Sequence, residues 1–392
     1  MRYFWQHLQT ILATYKNEVP LHHFLKQYYK RHPKLGSRDR RGLSDATYSW
    51  YRCSKAFAND THPFEEQVIA VLFLCQLCPK AIANHFPEAW QQAGEQDLAE
   101  RIALLQAAGF KCDLEAAFPI AIDYSAGITR KEWMQSLLRQ PQLFLRIRKD
   151  KEAVIRLLQN ASTPFEWLSP TCLVLPNGTS AETLLPADSY VIQDASSQAT
   201  QDFFKPLPNE AWWDCCSGAG GKSLLLKDLQ PNVQLQVSDV RESILRNLRE
   251  RFLQYHHSPP KSFVLDTANA AAVAQQLGIQ RFDAILCDVP CTGAGTWART
   301  PEQYYFFKEE DLEIFTTRQA AILRHAADYI KENGRIIYIT CSVFKAENED
   351  IVQKIAGEKN LRITSMQLIN GIPQKADCLF VAVLEKEKEK EN

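Results

Sequence analysis

From Glu210 onward the chain alternates short apolar runs with longer amphipathic stretches, and few folds accept that rhythm. The runs at 211–215, 233–238, 262–265, 282–287, 335–340, 361–365 and 379–384 read as strands. Helical periodicity fills the gaps near 221–229, 241–256, 311–331 and 346–356. Neighbouring parallel strands need a long crossover, and a helix supplies it. The pattern therefore predicts an α/β domain over 201–385, a mostly parallel sheet with helices on both faces.

The chain before it has a different texture. Phe4, Leu8, Ile11 and Leu12 repeat at helical spacing, as do Leu21, Phe24, Leu25 and Tyr28. Further helical stretches run over 63–78, 98–108 and 130–139, with breaks at His32-Pro33, Phe86-Pro87 and Phe118-Pro119. Residues 1–135 are expected to form an all-α domain. Beyond Gln140-Pro141 come a strand over 143–147, a helix over 151–159 and two short strands over 164–168 and 172–175. This small α+β (ferredoxin-like) subdomain, 141–200, is too small to stand well alone and is expected to pack on the α/β domain. The end, from Glu385 through the charged tail 386–392, alternates Glu and Lys and is expected to be frayed and solvated.

Charge is nearly balanced over the 392 residues, 45 basic against 46 acidic, yet it is unevenly placed. Residues 1–55 hold eleven Lys and Arg against three acids, as a phosphate-contacting module would, or simply a solvated helical face. Eleven cysteines in so long a chain are not a disulfide framework. There is no secretory signal pattern and no apolar run of about 18 residues, so no membrane partner is expected. The expectation is a soluble, cytoplasmic protein with free thiols. Cys75-Gln76-Leu77-Cys78 lies in an apolar helical run and lacks a second pair at zinc spacing, so it reads as a buried helix face, and no metal is expected. Nothing in the sequence settles the oligomeric state, and a monomer suffices.

Between the first two strands lies Asp214-Cys215-Cys216-Ser217-Gly218-Ala219-Gly220-Gly221-Lys222. Glycines here let backbone approach a ligand, and the helix start just after them offers free N–H groups. Gly221-Lys222-Ser223 imitates the end of a phosphate loop, but that motif needs glycine where Cys216 stands, so an ATPase is disfavoured. Asp239 closes the second strand, where a carboxylate grips a ribose hydroxyl pair. Asp266 closes the third, placed for an adenine edge, and Asp288 closes the fourth. Each alone is explained as a cap or turn residue; three at successive strand ends are not. Three carboxylates would repel a triphosphate without a metal, yet suit a nucleoside bearing a sulfonium. The sequence thus favours S-adenosylmethionine over NAD or ATP, with 216–222, Asp239, Asp266 and Asp288 as its binding residues.

Two cysteine motifs follow strand ends: Asp288-Val289-Pro290-Cys291-Thr292-Gly293 and Thr340-Cys341-Ser342. With the glycine turn they resemble the RsmB/Sun-type family of RNA cytosine-C5 methyltransferases. The turn looks like that family's Cys-Ala-Ala-Pro-Gly-Gly-Lys, with Ser217-Gly218 for Ala-Ala and Ala219 for proline. Cys341-Ser342 followed by Glu347-Asn348-Glu349 is similar to its thiolate motif, and Val191-Ile192-Gln193-Asp194-Ala195-Ser196-Ser197-Gln198 to its pre-domain element. Lys34-Leu35-Gly36-Ser37-Arg38-Asp39-Arg40-Arg41 looks like the basic signature of a NusB-like helical domain. Ile244 stands where many members place an arginine, with Arg241 or Arg246 as substitutes, and Asp377-Cys378-Leu379-Phe380 replaces Asp-Gly-Phe-Phe.

The resemblance implies a Rossmann-like class I methyltransferase domain making 5-methylcytosine in RNA, with small-subunit ribosomal RNA as substrate. It assigns attack on carbon 6 of cytosine to Cys341, and proton removal and adduct release to Cys291. The target base has to leave its stack to reach a thiol. Arg38, Arg40 and Arg41 are the candidate RNA contacts, against a plain surface salt-bridge cluster with Asp39 and Asp45. Two other functions fit parts of the pattern: a DNA cytosine-C5 methyltransferase, whose nucleophile would be the proline-cysteine thiol, and a non-catalytic RNA-binding assembly factor.

Overall fold

The computed structural model describes residues 2–92, 97–118 and 120–386. Pro119 and residues 387–392 of the charged tail lie outside the described residues. The chain divides into two compact units.

The first unit comprises the chain up to Ala121 with Arg130–Gln140 and Trp297–Lys308, and it is helical. Its centre is the helix Phe64–Leu74, in which Val68 through Leu74 are all buried. The helices Arg2–Thr14, Leu21–Arg31 and Ser37–Cys53 belong to the same unit. Leu98–Ala107 is started by Asp97, whose side chain accepts from Glu100 N–H while Glu100 reaches back to the Asp97 N–H. Trp297–Lys308 carries the short helix Pro301–Phe306 and its aromatic residues pack inside this unit. Trp297 lies 5.6 Å from Trp133, and Tyr305 lies 5.0 Å from Tyr51, ring to ring.

The Cys75–Cys78 pair departs from a single buried helix face. The helix stops at Leu74 and Gln76 takes a left-handed φ of 57°. Cys75 is buried 3.9 Å from Cys53, sulfur to sulfur, whereas Cys78 is exposed. Among the described residues no group of three or more His, Cys, Asp or Glu could hold a metal ion. None of their helices is long and apolar enough to cross a membrane.

The second unit holds two sheets. In the smaller, β1 (Leu143–Ile147), β2 (Glu166–Trp167), β3 (Cys172–Leu175) and β4 (Tyr190–Ile192) stand in the order β2-β3-β1-β4, every neighbour antiparallel. Strand β4 has only three residues and no flanking alternation, and sequence reasoning missed it.

The larger sheet has seven strands in the order β10-β11-β9-β8-β5-β6-β7. They are β5 (Ala211–Asp214), β6 (Gln234–Asp239), β7 (Lys261–Val264), β8 (Phe282–Asp288), β9 (Ile330–Thr340), β10 (Leu361–Asn370) and β11 (Cys378–Lys386). The five from β5 to β9 are parallel; β11 runs antiparallel to both β9 and β10. Successive side chains leave a strand on opposite faces, so a central strand covered on both sides must be apolar at every position. Trp212, Ala284, Leu286 and Ile337 enter one core, and Trp213, Ile285, Cys287 and Ile336 the other.

The charged end is more ordered than its composition suggests. Glu385 and Lys386 continue β11 opposite Arg362 and Leu361, and Arg362 donates to Glu385 at 2.7 Å. The tail expected from Glu385 onward thus loses its first two residues to the sheet. Helix Ala270–Leu277 also went unseen, because its alanine run carries little apolar contrast.

One buried ion cluster pins β1 to the helix Gly221–Leu229. Arg146 and Arg148 both donate to Asp228, at 2.5 and 2.6 Å, and His257 Nε2 lies 2.7 Å from the same carboxylate. Burial pushes the Asp228 carboxyl up, but the hydrogen bond from Arg148 and the charge of Arg146 bring it down to about 2. A carboxylate depressed on folding stabilises the native state above its unfolded pKa, and that contribution is lost as the pH falls through the folded one. Asp228→Asn should therefore cost about 2 kcal/mol at neutral pH. In urea titrations its deficit should narrow between about pH 4 and about pH 2; a constant deficit would show that the charge is not what matters.

Candidate active site

The sheet order turns round at β5, whose neighbours β6 and β8 lead to opposite edges. Open α/β sheets bind ligands outside the carboxyl ends of their strands at such a point. Here β5 gives way to the glycine turn. Gly218 has a φ of 51° and Gly220 one of 79°, values that suit glycine. Gly218 N–H donates to Asp239 Oδ2 at 3.1 Å, which ties the turn to the end of β6. A Cβ at Gly220 would sit 2.7 Å from Leu248 Cγ, whereas one at Gly221 would meet nothing within 4 Å.

These two glycines separate folding from binding. Gly220→Ala should destabilise the protein by about 2–4 kcal/mol, from left-handed strain plus overpacking. Gly221→Ala should change stability by less than about 1 kcal/mol and narrow the cavity into which it opens. Thermal melts of the two variants check the contrast, and equal melting losses would contradict it.

That cavity, of about 380 Å³, gathers Cys216, Ser217, Gly218, Ala219, Gly221 and Lys222 from the turn, together with Asp288 and Cys341. Lys222 Nζ donates to Asp288 Oδ2 at 2.7 Å. Burial lowers the Lys222 pKa, but the Asp288 charge and hydrogen bond, with Cys341 and Asp214 beyond, leave it raised, so the amine stays cationic. Asp214, at the end of β5, is fully buried and takes a 2.5 Å hydrogen bond from Ser223. Burial is the main reason its carboxyl is raised to about 7.

Of the sequence-predicted cofactor residues, Gly220, Asp239 and Asp266 do not line this cavity. Asp239 borders the turn through Gly218 and accepts from Arg241 Nε at 3.1 Å, so Arg241 rather than Arg246 sits beside it. The Arg241 side chain of that pair is 59% exposed, while Asp239 is buried. Asp266 faces Arg318 at 2.9 Å.

The two cysteine motifs meet. Cys291 Sγ and Cys341 Sγ are 3.3 Å apart, each a free thiol. The hydrogen bond to Cys341, and then burial, push the Cys291 thiol well above its ordinary value. Either thiol of the pair can donate to the other. Their closeness depends on Gly295, whose N–H donates to Cys341 O at 2.9 Å. A Cβ there would fall 2.0 Å from Cys378 O.

Sequence reasoning overlooked the other wall. Val191, Ile192, Gln193 and Asp194 border the cavity with Asp377 and Leu379. Their motif was visible, but nothing in it told which side chains would face the site. Glu347 was likewise noted only as part of a motif; it is fully buried and bonded to both cysteine loops.

In the helical unit, Arg38 and Arg41 line a separate cavity of about 520 Å³ with Lys80 and Asp45. Burial raises the Asp45 carboxyl to about 6 against the opposing pull of Arg41. Arg40 is not in this cavity: its guanidinium donates to the Leu35 and Pro33 carbonyls at 2.8 and 3.4 Å. It serves the turn before its own helix.

A mostly parallel seven-stranded sheet with a glycine turn at its switch point defines a Rossmann-like methyltransferase fold. Residues 202–385, the domain of the large sheet, match the family described as 16S rRNA methyltransferase RsmB/F. It is 28% identical over 225 residues to the ribosomal RNA small subunit methyltransferase B of Serratia proteamaculans, covering 55% of this chain and 51% of that one. The probable counterpart in Bacillus subtilis is 27% identical over 214 residues, 53% of this chain and 46% of that one. The chain thus spans about half the length of the curated relatives it matches. Among solved structures, PH0851 is similar at a TM-score of 0.70 and 18% identity over 97% of both chains. NSun6 from Pyrococcus horikoshii, solved with SFG, is similar at 0.57 and 17%, over 66% of this chain and 94% of that one. At such identities the likeness is one of fold.

Proposed function

We propose that this protein is an S-adenosylmethionine-dependent RNA methyltransferase that makes 5-methylcytosine in small-subunit ribosomal RNA. The observation that carries the proposal is the pair of thiols 3.3 Å apart, one of them bordering a cavity walled by a glycine turn and a Lys222–Asp288 pair. The cradle fits the cofactor: two positive-φ glycines, an open Cβ position at Gly221, and Asp239 at the adjoining strand end. Residues 216–222 and Asp239 would hold S-adenosylmethionine, which supplies an electrophilic methyl group.

The remaining chemistry belongs to the chain. Carbon 5 of cytosine is a weak nucleophile; adding the Cys341 thiolate to carbon 6 shifts the ring electrons and activates it. The Lys222–Asp288 pair borders the same cavity and balances charge on the ring. Forming the Cys341–carbon 6 bond removes the hydrogen bond that holds the proton on Cys291. Cys291 can then give that proton to water and take the one from carbon 5, as the carbon 5–hydrogen pair re-forms the carbon 5–carbon 6 double bond and the electron pair of the carbon 6–sulfur bond returns to Cys341. The helical unit would serve as a NusB-like RNA-binding domain, with Arg38 and Arg41 as phosphate contacts and Arg40 as a structural residue.

The test is methyl transfer from tritiated S-adenosylmethionine to small-subunit ribosomal RNA and to DNA of the same sequence. The proposal expects label in RNA, recovered as 5-methylcytosine. Label in DNA would favour the DNA enzyme, and cofactor binding without transfer to any RNA would favour an assembly factor.

A further inference from the structure

One buried carboxylate joins the two thiol loops. Glu347 accepts from Thr292 N–H at 2.8 Å, from the Thr292 hydroxyl at 2.6 Å, from Gln319 Nε2 at 2.9 Å and from the Ser342 hydroxyl. Thr292 follows Cys291 and Ser342 follows Cys341. Both N–H donors meet Oε1 and both hydroxyls meet Oε2, whereas an amide nitrogen in the place of Oε2 would have to donate to hydroxyls that already accept from Ala294 and Phe344 N–H.

Each loop has other supports, and on the Cys291 side Val289 N–H donates to Ile339 O at 3.1 Å and Thr296 N–H to Gly293 O at 2.7 Å. On the Cys341 side, Gly295 N–H donates to Cys341 O at 2.9 Å and Asn348 Nδ2 donates to Ser342 O at 3.0 Å. Asn348 is itself fixed by Thr340, whose hydroxyl donates to it at 2.5 Å. On the Cys291 side, Gln319 Nε2 donates to Pro290 O at 3.0 Å, and that same amide is oriented by Glu347. Three of the four bonds that Glu347 accepts come from Thr292 or from the Gln319 amide that holds Pro290, and one comes from Ser342, so removing Glu347 loosens Cys291 more than Cys341.

We propose that Glu347 is a positioning residue that keeps Cys291 against Cys341, and so governs release of the covalent RNA adduct more than its formation. The inference rests on the roles given above to the two cysteines. With Cys291 displaced, the carbon 5 proton has no acceptor, the carbon 5–carbon 6 double bond does not re-form, and the sulfur–carbon 6 bond persists.

The experiment uses the full chain with small-subunit ribosomal RNA and S-adenosylmethionine, comparing Glu347→Gln, Thr292→Val, Cys291→Ala and the unaltered protein. Glu347→Gln should form a denaturation-resistant adduct in its first turnover, then accumulate it, with kcat down on the order of a hundredfold and KM for RNA little changed. Thr292→Val removes one donor and keeps the N–H, so it should show a smaller accumulation, and it decides the matter should Glu347→Gln not fold. The proposal is overturned if the variants turn over normally without adduct, or if adduct formation and release fall together. An unaltered protein that makes no 5-methylcytosine, or a Cys291→Ala protein that traps nothing, would instead overturn the reading of the cysteines.

Discussion

Cys341→Ala should lower cytosine methylation by at least about three orders of magnitude, the scale on which losing a covalent nucleophile acts. The fold should survive, because Cys341 follows the last residue of β9 and only borders the neighbouring core. Cofactor binding should survive too, since the turn at 216–222 works mainly through its backbone and is held by Asp239 and not by the thiol. Single-turnover methylation measured beside calorimetry with S-adenosylmethionine separates these effects. Near-normal transfer would remove Cys341 from the nucleophile's role, whereas joint loss of transfer and binding would point to a damaged cradle.

The second large effect is a product that stays attached. In Cys291→Ala the thiol that attacks is intact, but the group 3.3 Å away that would take the carbon 5 proton is gone. Adduct formation should proceed and release should stall, giving one RNA bound per protein under denaturing electrophoresis. The hydrogen bond to Cys341 and burial push the Cys291 thiol up, which disfavours a Cys291 thiolate as the attacking group. If instead Cys291→Ala abolished the adduct and Cys341→Ala trapped it, the roles would be exchanged, as in the DNA-enzyme alternative.

The central strands β5, β8 and β9 of the large sheet were legible because burial on both faces makes them apolar runs bounded by turns. Asp288 and Cys341 were legible as site residues for a related reason: polar side chains immediately after such runs stand at the mouth of the sheet. Side-chain pairing was not legible. Asp266 looked equivalent to Asp239 in sequence, yet it faces Arg318, while Asp239 binds the glycine turn. Arg40 looked equivalent to Arg38 and Arg41, but its position on the helix turns it back to Pro33 and Leu35. Long-range packing was invisible as well. Trp297–Lys308 lies between two elements of the sheet domain in sequence and clusters with the helical unit, through rings that meet residues more than a hundred positions away. Glu347 shows the same limit: its four donors come from three separate stretches of chain, and no local pattern announces a buried acceptor.

The most direct measurement is the site of covalent capture. RNA carrying 5-fluorocytidine offers carbon 6 to the thiolate but no proton to remove from carbon 5, so the adduct should persist. Peptide mapping by mass spectrometry should place the nucleotide on the peptide containing Cys341. Capture on Cys291, or none on RNA that the enzyme methylates in its unfluorinated form, would contradict the account.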